Sequence, residues 1–323
     1  MSRSRSSRLM RRAAAIAVGV TSLLSFGSMG TAHAITLDPA AVSGYWLDSA
    51  GGLHPFASGT SVLAPAAATI SFYSGNSARG VVSLGALAGG FVLGKDGSLN
   101  RFGIGSLAIP AAPTNPQVFP GADVARGVGL LPSKTGGYWL DSAGGLHPFG
   151  LGGNAAPAAA TITYYNGNSA KAVVMTPDGK GGFVVDNGGS MHPFAVGPVT
   201  VTNPLPAAAT NPQTFGTADV VSGVVMMADG LSGYWLDTAG GLHPFALPTG
   251  TPPAAGTLSF YQGGSARGAI MAGDGKGGYV VDNGGNLHAF AVGPVTVTNP
   301  MPPVATNLST FGTADVACGI TSV

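Results

Sequence analysis

Residues 44–56 read GYWLDSAGGLHPF, residues 137–149 read the same thirteen letters, and residues 233–245 read GYWLDTAGGLHPF. Three weaker copies interleave with them: GFVLGKDGSLNRF at 90–102, GFVVDNGGSMHPF at 182–194 and GYVVDNGGNLHAF at 278–290. Aligned on their aromatic residue (Tyr45, Phe91, Tyr138, Phe183, Tyr234, Tyr279), the copies lie 46, 47, 45, 51 and 45 residues apart. A second motif alternates with the first, as SARGVVSL, DVARGVGLL, SAKAVVM, DVVSGVVMM, SARGAIM and DVACGITSV, again six in number. A fixed period in this range marks a repeat architecture, in which each unit buries its apolar faces only against its neighbours.

Within a unit the pattern is that of strands. An aromatic and aliphatic run meets a turn and then a second apolar run. Glycine occupies one turn position in all six copies, at Gly51, Gly97, Gly144, Gly189, Gly240 and Gly285. A short hairpin loop needs one residue at positive φ, which glycine adopts without strain. Asp48, Asp141, Asp186, Asp237 and Asp282 open that turn, where a carboxylate can accept the loop's own N–H groups. The second motif supplies an inner strand, GFVVD a second strand and MHPF a third. A fourth strand is expected in segments such as TITYY or NPQTF.

About four strands per ~45 residues is the pattern of a propeller blade. The chain enters almost directly at the first GYWLD copy and ends on an inner-strand motif, DVACGITSV. The sequence therefore predicts an all-β, six-bladed propeller over 35–323, with the C-terminal strand closing the first blade. Odd blades share YWLD and aromatic pairs (Phe72-Tyr73, Tyr164-Tyr165, Phe260-Tyr261), whereas even blades share TNPQVF, TNPQTF or TNLSTF. Three two-blade units related by a pseudo-threefold follow from this. Composition agrees: 53 Gly, 24 Pro and no Glu disfavour helices, and 45% hydrophobic residues disfavour a solvated, unfolded chain.

Residues 1–34 have the layout of a secretory signal peptide. Five arginines without an acid precede the apolar run AAAIAVGVTSLLSF, and Ala32-His33-Ala34 ends the segment with small residues. The run is shorter than the ~20 residues that span a bilayer, and no later segment is long and apolar enough to do so. The expectation is a secreted, extracellular protein beginning at Ile35, with Sec or twin-arginine export and retention at the cell wall both left open. Beyond the leader, nine Lys and Arg face thirteen Asp, a balance near −4 that argues against a nucleic-acid partner. Cys318 is the one cysteine, so no internal disulfide forms.

The combination of DGKGG, GYWL and GG(L/V)HPF resembles the secreted β-propeller repeats of actinobacteria, which typically read PDGKGYWLVASDGGVFAFG. The resemblance covers most of 35–323. It implies a propeller that stands alone or beside cell-wall hydrolases, and it carries no set of catalytic residues with it. The sequence departs from that pattern in its Pro/Ala-rich insertions, such as APAAAT and NPLPAAATNP, and in His-Pro where the family has Phe-Ala.

Five histidines (His54, His147, His192, His243, His288) share one position, with Asn100 in the second blade. One third-strand position per blade spreads them around a ring, whereas zinc needs its ligands within about 2.3 Å of one point. Local hydrogen bonding between blades is the expectation, with no metal and no cofactor. The turn aspartates are likewise too dispersed for paired acid–base catalysis, and no GxSxG motif or calcium loop is present. Convergence is expected only near the axis, where Arg79, Arg126, Lys171 and Arg267 fall at one equivalent position, with Ser222 and Cys318 completing the six. Four cations at a channel mouth form a candidate ligand-binding site for an anion. The competing expectation is that they pair with Asp123, Asp219 and Asp315. The sequence favours a secreted non-catalytic binding or surface-interaction protein, with cell-wall glycan or another anionic ligand as partner. A secreted hydrolase or lyase acting at the channel and a structural envelope component are the alternatives.

Overall fold

Alternating apolar residues and glycine-centred turns place β-strands at every copy of the two motifs. A computed structural model describes residues 41–59, 64–70, 77–85, 88–114, 117–162, 169–211, 213–258, 265–307 and 309–323. The expected leader and the three aromatic pairs lie outside the described residues. In chain order the strands begin with β1 (Ser43–Asp48) and β2 (Leu53–Ser58) of blade 1. Blade 2 holds β3 (Ala68–Ile70), β4 (Ala78–Gly85), β5 (Gly89–Gly94) and β6 (Leu99–Ile104), and blade 3 holds β7 (Ala125–Leu130), β8 (Gly136–Asp141) and β9 (Leu146–Gly150). Blade 4 follows with β10 (Ala160–Ile162), β11 (Ala170–Met175), β12 (Gly181–Asp186) and β13 (Met191–Val196). Blade 5 has β14 (Val221–Met226), β15 (Ser232–Asp237) and β16 (Leu242–Ala246), and blade 6 has β17 (Gly256–Leu258), β18 (Ala266–Met271), β19 (Gly277–Asp282) and β20 (Leu287–Val292). The chain returns to blade 1 with β21 (Ala305–Asn307) and β22 (Ala317–Ser322).

The result is the six-bladed propeller expected. The inner strands β4, β7, β11, β14, β18 and β22 adjoin one another in that order and close the ring from β22 back to β4. Closure goes further than the sequence suggested. Blade 1 has the order β21-β2-β1-β22, so the C-terminal segment supplies both its innermost and its outermost strand. The early strands β1 and β2 are clamped from both sides, so neither of them is an edge strand.

The fourth strand meets the expectation in part. It precedes the inner strand in sequence: β3 pairs with β6, β10 with β13 and β17 with β20. The chain thus leaves one blade, runs along the outer edge of the next, and only then reaches the axis. TITYY does begin such a strand, at β10. NPQTF does not: in blades 3 and 5 the outer strand shrinks to the single bridges Thr114–Gly150 and Thr210–Ala246. The residues that follow are used instead to cover the Trp–His pair of that blade.

His-Pro has a register reason. Pro55, Pro148, Pro193 and Pro244 sit opposite the aromatic of the middle strand. Proline has no N–H, so it tolerates only a position whose nitrogen faces away from the pairing strand. That withdraws a donor from the outer edge, where the short fourth strands pair only residues beyond it.

Every blade interface is filled by the same alternation. In β1, Tyr45 and Leu47 join Val92 and Phe102 of blade 2, whereas Trp46 points the other way, to Val281 of blade 6. Successive side chains of a strand point to opposite faces, so a middle strand buried on both faces reads YWL or FVV without a polar gap. The tyrosines add a staple. Tyr45, Tyr138, Tyr234 and Tyr279 donate their hydroxyls to the carbonyls of Ala66, Ala158, Ala254 and Pro303 in the crossing segments. Burial pushes the hydroxyls of Tyr45, Tyr138 and Tyr234 up to about 12, so they remain donors. The Pro/Ala-rich insertions thereby acquire a structural role: they carry the chain between blades within reach of these hydroxyls.

Candidate binding ring at the propeller axis

The second residue of each inner strand is one that its middle strand does not pair. Ala78 pairs with Gly94 and Gly80 with Leu93, so Arg79 is bulged out of the ladder. The same slip isolates Arg126, Lys171, Ser222, Arg267 and Cys318. A bulge inserts an extra residue and re-aims its side chain. Repeated six times at the same end of the inner strands, it sets one side chain per blade around the axis. The position after the bulge is Gly80, Gly127, Ala172, Gly223, Gly268 or Gly319. A Cβ on Gly223 would come within 3.5 Å of the Cα of Gly268, and one on Gly268 within 3.2 Å of Ile320. Small residues here let neighbouring inner strands approach.

The four cations predicted from sequence are therefore brought to one mouth, and each has a carboxylate partner. Arg79 donates to both oxygens of Asp123 in the next blade, at 3.1 and 2.6 Å. Arg126 shares that carboxylate at 3.1 Å. Lys171 pairs with Asp219 at 2.6 Å, and Arg267 with Asp315 at 3.1 and 2.9 Å. The three aspartates sit just before the inner strands of blades 3, 5 and 1, so the pairs of Arg79, Lys171 and Arg267 cross from an even blade to an odd one, whereas Arg126 and Asp123 both belong to blade 3. The hydrogen bond from Arg79 holds the Asp123 carboxyl below its ordinary value and raises the guanidinium in turn. Four cations face three carboxylates, and Arg126 is the one without an aspartate of its own. Arg79, Arg126 and Arg267 also donate to the carbonyl of the preceding alanine, at 2.8, 2.8 and 3.0 Å, which pins the guanidinium stems. Cys318 lies within electrostatic reach of Arg79 and Arg267. Burial, with Asp48 nearby, pushes its thiol up to about 12 despite those cations, so it is a neutral thiol.

The histidines resolve into a second repeated arrangement. Nε2 of His54, His147, His192, His243 and His288 lies 2.8, 2.8, 2.9, 2.8 and 3.0 Å from Oδ2 of Asp48, Asp141, Asp186, Asp237 and Asp282. The other carboxylate oxygen accepts turn N–H groups, such as Gly52 at 2.8 Å and Gly241 at 2.7 Å. Burial works to raise Asp48, Asp141, Asp186 and Asp237, but the histidine and backbone hydrogen bonds outweigh it and hold them below the ordinary carboxylate value. In odd blades the imidazole also stacks on the tryptophan, at centroid distances of 3.9, 3.9 and 3.8 Å. Each Asp–His pair lies within its own blade. Among the described residues, no three His, Cys, Asp or Glu side chains come together as metal ligands.

What the sequence did not disclose is the cover over these pairs. Gln117 reaches Nδ1 of His147 at 2.8 Å and Gln213 reaches Nδ1 of His243 at 2.6 Å. Phe119, Phe215 and Phe311 pack edge-on against both rings of the stack. TNPQVF, TNPQTF and TNLSTF thus serve the blade that follows them, which only the sheet order reveals.

Comparison with known proteins identifies the fold and stops there. No family model and no curated protein matches the chain. A provisionally assigned 6-phosphogluconolactonase of Bacteroides fragilis is similar at 12% identity, over 88% of this chain and 98% of its own, with a TM-score of 0.50. Its counterpart from Bacteroides uniformis is 11% identical over 88% and 100%, with a TM-score of 0.46. A chain of the nidogen/laminin complex is 12% identical over 87% and 98%, with a TM-score of 0.48. At such identities the likeness is one of propeller architecture alone. Among the described residues, no helix is long and apolar enough to cross a membrane.

Proposed function

We propose that this chain is a secreted, non-catalytic binding protein that takes an anionic ligand, such as a charged cell-envelope glycan, at the bulged mouth of its channel. The observation that carries the reading is the ring of bulge residues, in which Arg79, Arg126, Lys171 and Arg267 outnumber Asp123, Asp219 and Asp315. A ligand carboxylate or phosphate would displace these aspartates or share their cations. Arg126 is the natural first contact, since Arg79 already satisfies the carboxylate that both use. The Asp–His pairs support the absence of acid–base chemistry in this reading, because each is spent on its own turn. The leader at 1–34 and the resemblance to secreted actinobacterial repeats supply the extracellular setting.

Titration with teichoic acid, followed by calorimetry, tests the site. Arg126→Gln should weaken binding by about tenfold, and Asp219→Asn, which frees Lys171, should strengthen it. Added salt should weaken the wild-type interaction, as screening acts within about 10 Å at 0.1 M. If neither substitution alters binding while both lower stability, the ring is only a structural network and the reading falls.

A further inference from the structure

The bulge ring divides into three equivalent thirds, and one of them is unlike the others. Asp123 pairs with Arg79 and precedes Arg126, Asp219 pairs with Lys171 and precedes Ser222, and Asp315 pairs with Arg267 and precedes Cys318. A further residue completes each third: the turn after the middle strand of the even blade sets Lys95, Asn187 or Asn283 against the segment that carries the aspartate. Lys95 O accepts the N–H groups of Val124 and Ala125, both at 2.9 Å, and Lys95 N–H donates to Ser77 O at 2.5 Å. Its backbone is therefore held between the approach to Arg79 and the residues that separate Asp123 from Arg126. The carbonyls of Asn187 and Asn283 accept from Val220 and Val221, and from Val316 and Ala317, in the same way. The Asn187 side chain donates to Thr217 O at 3.4 Å, two residues before Asp219. A side chain at this position thus reaches over the loop that leads to the aspartate.

Charge separates the thirds. The first sets Arg79, Lys95 and Arg126 against Asp123. The second sets Lys171 against Asp219 and the third Arg267 against Asp315, with neutral residues at the other two positions of each. Asp96, beside Lys95, spends one oxygen on the Ser98 N–H at 3.0 Å. Blade 2 also has Gly94 where the other five blades carry the turn aspartate. With both counted, the first third remains the most positive. Among the described residues Lys95 has no ion pair. The guanidinium groups of Arg79 and Arg126 already converge on the span of one carboxylate, at 2.6 and 3.1 Å. A single guanidinium fork satisfies a carboxylate, as Arg79 does for Asp123, so three cations exceed what a ligand carboxylate can match. A phosphomonoester offers three oxygens and a charge of about −1.5 to −2 near pH 7. We propose that blades 2 and 3 form a phosphate-specific part of the ring, in which Arg79, Arg126 and Lys95 together hold a phosphomonoester once Asp123 gives up its two partners. This assignment rests on the ring being an anion site and adds to it a ligand class and one residue, Lys95.

Calorimetric titration with glycerol 3-phosphate and with glycerate, at equal ionic strength, is the test. Wild type should bind the phosphate at least about fivefold more tightly than the carboxylate. Lys95→Gln should weaken the phosphate by about tenfold and glycerate by less than about twofold, as expected for loss of one charge-assisted contact. Its melting temperature should not change, because no ion pair is broken. Lys95→Arg should keep most of the preference, and Lys180→Gln, in a turn at the opposite end of the inner strands, should alter neither titration. Equal wild-type affinity for the two probes, no binding of either, or a Lys95→Gln chain that keeps the full preference overturns the proposal. Teichoic acid binding that still responds to Arg126→Gln would, in any of those cases, leave the anion ring standing without a phosphate-specific third. Loss of that binding as well would remove both.

Discussion

Asp237 makes two kinds of bond with one carboxylate, to the turn N–H of Gly241 and to His243. It pre-orients a hairpin and fixes an imidazole that in turn stacks on Trp235. Its folded-state value lies below the ordinary one, as do those of Asp48, Asp141 and Asp186. A carboxylate so held stabilises the folded chain above the unfolded value of about 3.9 and loses that contribution as pH falls through the folded value. The melting temperature should therefore be flat from neutrality down to about pH 5 and drop below about pH 4. Asp237→Asn should cost about 1–3 kcal/mol at neutral pH in urea denaturation, by leaving a turn donor or the imidazole badly matched. It should also make the acid loss shallower, since one of the titrating groups is gone. An unchanged acid profile would assign the loss to carboxylates elsewhere, such as Asp123.

At the scale of the element, the paired glycines of the turn are legible in two different ways. Positive φ was read from position alone, and Gly51, Gly97, Gly144, Gly189, Gly240 and Gly285 all have φ between 85° and 92°. The second reason was not legible. In even blades the turn glycine is also the floor on which the next blade's tryptophan lies: a Cβ on Gly285 would sit 2.6 Å from the Trp46 ring, and one on Gly97 2.4 Å from Trp139. Gly312 has φ 62° and nothing within 4 Å of a built Cβ, so it isolates the conformational term. Gly312→Ala should cost about 1 kcal/mol. Gly285→Ala should cost clearly more, by about a further 1–3 kcal/mol, because a fused aromatic ring packed between blades cannot step aside. Chemical denaturation of the pair reads the difference directly. The same divide runs through the candidate site. The shared position of Arg79, Arg126, Lys171 and Arg267 was visible as an alignment column. The bulge that aims them, and the assignment of TNPQVF to the following blade, depend on pairing between strands distant in sequence.

For the whole molecule, stability rests on closure, since each blade buries its two faces only against its neighbours. The interface between blades 6 and 1 contains Val42, Phe56, Ile270, Ala272 and Tyr279 in one cluster and Trp46, Val281 and Ala317 in another, with Ile320 packed against both. Deleting 317–323 removes β22 while keeping β21 and the Asp315 partner of Arg267. The N–H and C=O row of β1 that pairs with β22 would then be unpaired along Gly44–Asp48, and Trp46 and Ile270 would face water on one side. The cost exceeds that of any single substitution, because a whole ladder and the packing of two interfaces go together. The truncated chain should therefore aggregate or melt far below the full chain in a thermal scan followed by light scattering. Supplying the peptide 317–323 in trans would recover little, since covalent attachment gives the strand an effective concentration that a free peptide does not reach. A truncated chain that melts like the full one would mean that β21 and the Arg267–Asp315 pair hold blade 1 without its inner strand, and that the ring tolerates an open seam.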